Sequence, residues 1–117
     1  MIVFVNHELA HQLRDAHDFR RFHVEIAAPR GSFGQLRERL TDLIEFEDDA
    51  NAWVSADRLR TLPEVQNDAK WQDDLHRMIE KARPHGWIRD QPRLMIKSHV
   101  VWVEVARPGS GPEVPTA

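Results

Sequence analysis

Hydrophobic residues along this chain recur at two different periods, and each change of period marks a new element. Residues 2–5, Ile-Val-Phe-Val, are a short apolar run that predicts a strand. Asn6 follows as a helix cap, and Leu9, Leu13 and Ala16 fall on one face at helical spacing, predicting a short helix over residues 7–16. From Phe22 the period drops to two. Phe22, Val24 and Ile26 alternate with Arg21, His23 and Glu25, the signature of a half-buried strand. Residues 29–32 end it. Ser32, with Gln35 three residues on, reads as a capping box, and Phe33, Leu36, Leu40, Leu43 and Ile44 predict a helix over residues 33–45.

After an acidic link at 45–49, Ala52-Trp53-Val54 predicts a short strand. Ser55 or Asp57 can cap one helical turn that Pro63 stops. Trp71, Leu75, Met78, Ile79 and Ala82 follow the spacing of an amphipathic helix over residues 68–82, closed by Arg83-Pro84-His85-Gly86. Asp90-Gln91-Pro92 is a turn signal, and residues 94–105 predict the longest strand. From 100 to 105 both of its faces are apolar, with Val100 and Trp102 on one and Val101, Val103 and Val105 on the other. Such a strand is central, or has its second face covered by a partner. The expected fold class is therefore α+β: a single mixed sheet of about four strands with two main helices packed on it. Residues 1–106 are assigned to that one domain. Residues 107–117, with three prolines and two glycines, read as a flexible tail.

Composition narrows the function classes. The 117 residues suit one domain, and 41% hydrophobic with 30% charged residues is ordinary for a globular chain. With no cysteine there is no disulfide, thiolate metal site or cysteine nucleophile. The net charge of −3, with both signs interspersed, lacks the basic patch that nucleic acid calls for. No apolar run reaches the roughly 20 residues of a membrane helix. The opening apolar run is too short for a signal peptide, so a cytoplasmic location is expected.

Three groups of residues carry candidate chemistry. Residues 7–11, His-Glu-Leu-Ala-His, match H-E-x-x-H, where a helix puts two imidazoles on one face for zinc and Glu8 activates a bound water. With His17 the spacing resembles that of the metzincin metalloproteases over eleven residues. The resemblance implies a zinc-dependent hydrolase with His7, His11 and His17 as ligands. Arg14 stands where that family has its turn-forming glycine, the sizeable sheet that precedes the motif in that family is not expected ahead of His7, and no Met-turn is evident. A solvated helix face accounts for the same residues, and no cofactor is expected.

The second group is Arg30, Gly31 and Ser32, joining a strand to a helix, where backbone N–H groups and a guanidinium could hold an anion. A plain turn with a capping serine explains them without a ligand. The third is His23 and Glu25 on one strand face with Lys97 and His99 on another. In neighbouring strands of matching register they would meet, giving His23, Glu25 and His99 the makings of metal-independent acid–base catalysis. Among the tryptophans, Trp71 and Trp102 fit the core, while Trp53 and Trp87, at element ends, suit a pocket rim or subunit contact. The favoured reading is a small binding or interaction domain, homodimeric through the second face of its last strand, with a small-molecule or anionic ligand. The alternatives are the two enzymes just described.

Overall fold

A computed structural model of the chain describes residues 1–103. Its elements are β1 (Ile2–Val5), β2 (His11–Arg14), β3 (His23–Ile26), α1 (Phe33–Arg39), β4 (Ile44–Phe46), β5 (Asn51–Ser55), α2 (Ala56–Arg60), α3 (Ala69–Ala82), β6 (Ile88–Arg89) and β7 (Met95–Trp102). The strands form one mixed sheet in the order β2-β1-β3-β7-β5-β4, with β6 also paired to β7. The expectation of about four strands carrying two main helices is thus corrected to seven strands, one helix of fourteen residues and two short ones. The class remains α+β.

Three local misreadings account for the difference. Residues 7–16 are not a helix. Asn6 accepts from the backbone N–H groups of Glu8 and Ala10, at 2.9 and 3.1 Å, and Leu9 takes a left-handed φ of 65°. The chain therefore turns back and β2 pairs antiparallel to β1. An Asn that bonds its own downstream backbone serves a turn as readily as a helix cap. The predicted helix 33–45 stops at Arg39, and Ile44 leaves it to open β4. Ser32 makes no cap bond; its hydroxyl donates to the Pro29 carbonyl at 2.6 Å. Strand β6, only two residues long, has no readable period.

The other predicted elements lie close to where the sequence put them. Strands β1, β3, β5 and β7 lie where alternation placed them. Asp68 caps α3 by accepting from Trp71 N–H at 3.0 Å, and Ser55 caps α2 by accepting from Arg58 N–H at 3.2 Å. Val105 and the assigned tail at 107–117 lie outside the described residues.

One sheet face makes the core. Val3, Val24, Val100, Ser98, Ala52, Val54, Ile96 and Ile44 follow one another through the strand register and are all buried. Leu36, Leu40, Leu43, Leu59, Trp71, Leu75 and Ile79 close over that face. Each such side chain stabilises the fold by roughly 1.5–3 kcal/mol through the apolar surface it removes from water. The opposite face carries Ile2, Phe4, His23, Glu25, Lys97, His99 and Val101, all at least partly exposed.

Candidate functional site

The site follows from an interruption in the sheet. On one side β7 pairs with β5 from Met95 to His99. On its other side two strands share the edge: β6 opposite Met95 and Ile96, running antiparallel, and β3 opposite His99 to Trp102, running parallel. With those directions, β6 begins opposite Ile96 and β3 opposite His99, and the two run away from each other, leaving Lys97 and Ser98 between them. The residues just before each strand, Phe22 and Trp87, flank the gap. Lys97 N–H still reaches the Trp87 carbonyl at 2.8 Å.

A cleft of about 800 Å³ opens at this gap. Ile96, Lys97, Ser98 and His99 line it from β7, with Asn51 from β5 beside them. Helix α3 and the turn after it contribute Asp74, Arg77, Met78, Lys81, Ala82 and His85. Phe19, Arg20 and Phe22 come from the loop that enters β3. That loop is tied to α3 at two points. The Trp71 indole N–H donates to the Ala16 carbonyl at 2.8 Å, and His17 Nε2 lies 2.9 Å from Asp68 Oδ2. Phe19 packs on the Trp71 ring, centroids 5.9 Å apart. These ties hold Phe22 at one lip. At the other, Trp87 is 50% exposed and stacks on His85 with centroids 4.4 Å apart and planes 20° from parallel.

Charge in the cleft is lopsided. Arg20, Arg77, Lys81 and Lys97 face a single carboxylate, Asp74. Asp74 is already engaged: Lys70 hydrogen-bonds it at 2.8 Å and Arg77 pairs with it at 2.8 Å. The Lys70 bond chiefly holds its carboxyl below the usual carboxylate range. Among the described residues Arg20, Lys81 and Lys97 have no carboxylate within ion-pair distance. The ammonium of Lys97 lies 5.9 Å over the Trp53 ring.

The structure brings the third sequence-predicted group together. Strands β3 and β7 are neighbours, and His23 sits directly opposite His99. His23 Nε2 is 3.6 Å from Glu25 Oε1, both side chains about three-quarters buried. His99 lines the cleft, whereas His23 and Glu25 stand one strand further along the same face. The other groups are dispersed or engaged. His7 and Glu8 lie in the β1–β2 turn, His11 is on β2 and His17 binds Asp68, so the helix that H-E-x-x-H needs is missing. No three His, Asp or Glu side chains gather as metal ligands among the described residues. Arg30 pairs with Asp49 at 3.1 Å and lies over Trp102, whose indole N–H donates to the Asp49 carbonyl at 2.7 Å. With Ser32 bonded to Pro29, Arg30, Gly31 and Ser32 form a braced turn.

Sequence reasoning missed Phe19, Arg20, Phe22, Arg77 and Lys81 as site residues. One signal was present: Asp74, Arg77, Lys81 and His85 recur at i, i+3, i+7 and i+11, along one flank of α3 and the turn that follows it. No helix among the described residues is long and apolar enough to cross a membrane. No protein-family model, curated protein or solved structure is significantly similar to this chain, so its chemistry is read from the cleft itself.

Proposed function

We propose that this protein is a small binding domain that holds a small organic molecule in the cleft at the β3–β6 gap. One observation carries the reading: a concave site of about 800 Å³ with apolar walls and a few convergent polar groups, the usual make-up of a ligand site. Titration of the whole protein with a set of aromatic fragments, followed by backbone amide NMR shifts, tests it. Shifts clustered on Phe22, Trp87, Ser98 and His99 are expected. Shifts scattered over the surface, or none, would sink the reading. The cysteine-free composition supports a cytoplasmic setting for this binding domain.

A second reading is acid–base catalysis at the same place, favoured by the register that sets His23 opposite His99 with Glu25 beside it. His99 would exchange a proton with a molecule in the cleft, and His23 would orient or relay it. Hydrolysis of an activated aryl ester should then fall in His99→Ala and less in His23→Ala; equal rates in both variants and the parent protein would exclude it. Self-association remains part of the proposal. Val101 and Val103, 43% and 37% exposed on the uncovered side of β7, are the patch a second copy would cover.

A further inference from the structure

We infer that the ligand class of this cleft is an amphipathic organic anion, its acid group set against Lys81 and Lys97 and its flat apolar body lying between Phe22 and Trp87. The inference rests on the cleft being a ligand site and adds the chemistry of what it takes.

Charge is the first argument. The whole chain is net negative, at −3, yet the cleft gathers four cations around one carboxylate. That carboxylate is satisfied from both sides by Lys70 and Arg77. Lys81 and Lys97 come from different elements, α3 and β7, and both line the cleft. Clustered like charges repel one another in the empty cleft, so a bound anion relieves that repulsion besides adding attraction. A cationic ligand would add to it.

The apolar walls are the second argument. Trp87 leaves half of its surface in water, an unusual cost for so large a ring. One face of the indole stacks on His85. A flat ring entering the cleft would cover the exposed indole and meet Phe22 across the gap. A bare inorganic anion would leave these rings wet, and a neutral hydrocarbon would leave the ammonium groups unanswered. A molecule with both parts meets both demands.

The probes are 1-naphthoate, the isosteric neutral alcohol 1-naphthalenemethanol, and inorganic phosphate, each titrated into the whole protein by calorimetry and amide NMR. At low salt naphthoate is expected to bind the cleft about tenfold tighter than the alcohol, and phosphate more weakly than either. That advantage should shrink at about 0.5 M salt, where the Debye length falls to a few ångström. In the double variant Lys81→Gln, Lys97→Gln, naphthoate should drop to the affinity of the alcohol while the alcohol is unaffected, which also shows that the cleft is intact. If naphthoate and alcohol bind equally, the anion inference fails and the cleft reading stands. If naphthoate keeps its advantage in the double variant, the assigned cations are wrong and the inference fails. If neither naphthalene binds, both the inference and the reading beneath it fall.

Discussion

The two edges of β7 are made from the same eight residues and have opposite characters. Toward β5 the ladder runs unbroken from Met95 to His99, and the side chains on its inner face, Ala52, Val54 and Ile96, are sealed. Toward the other edge the ladder is shared by β6 and β3, which start on either side of Lys97 and Ser98 and part. A continuous ladder satisfies its backbone groups and brings neighbouring side chains close enough to exclude water. A divided one separates its two partners, and the residues leading into them become the lips of a cavity. The contrast shows how a divided sheet edge can open a pocket that a loop and a helix then wall in.

Substitutions sharpen that contrast. The largest effect is expected at Trp71, fully buried on α3 and bonded to the loop that carries Phe22. Trp71→Ala should lower stability by about 3–5 kcal/mol in urea unfolding, and should also weaken probe binding as the lip loosens. On the sealed side, Ile44→Ala, where the side chain is fully buried on β4 next to β5, should cost about 2–5 kcal/mol and leave the cleft unaltered. Ser55→Ala removes the cap of the helix that follows β5 and should cost about 1 kcal/mol. Lys81→Gln on the divided side should change stability by no more than about 0.5 kcal/mol. If Lys81→Gln destabilised as much as Ile44→Ala, the division between a packed edge and an open one would be mistaken.

The smallest effect is in pH. The Trp71 backbone N–H, and then His17, hold the Asp68 carboxyl below its ordinary value. A depressed carboxyl contributes stability that is fully present above its unfolded value of about 3.9 and is lost as pH falls through the folded value. Asp68→Asn should therefore make the acid limb of a stability–pH curve shallower; an unchanged limb would mean that the His17–Asp68 tie to α3 adds nothing.

Legibility in the sequence followed the reach of the interactions. Strand β3 and helix α3 were readable because one periodic face of each is buried, and each period spans only a few residues. The β1–β2 turn was not, because Leu9 and Leu13 are four apart in a hairpin as they would be on a helix, and only the left-handed φ of Leu9 separates the two. Strand β4 was hidden because Leu40, Leu43 and Ile44 continue the spacing of α1 after the helix has ended. The meeting of His23 with His99 was foreseeable as a condition on register, and the register meets it. The cleft was not foreseeable, since it depends on β3 and β6 sharing one edge of a strand remote from the former in the chain. The role of Phe22 changed for the same reason: its alternation fits a strand, but it stands just outside β3 at the gap.

The position of β7 also governs the order in which the molecule can assemble. It is the last described strand in the chain, yet it lies between β3 and β5 and joins everything that precedes it. Before it is in place, β2-β1-β3 and β4-β5 are two separate ribbons with no shared edge. Pairing β3 with β7 in parallel closes a loop over most of the described chain, a step whose entropy makes it slow. A nascent chain emerging in sequence would hold two half-sheets with raw edges until residues 95–102 arrive, and a chain cut short of them would keep those edges open to aggregation.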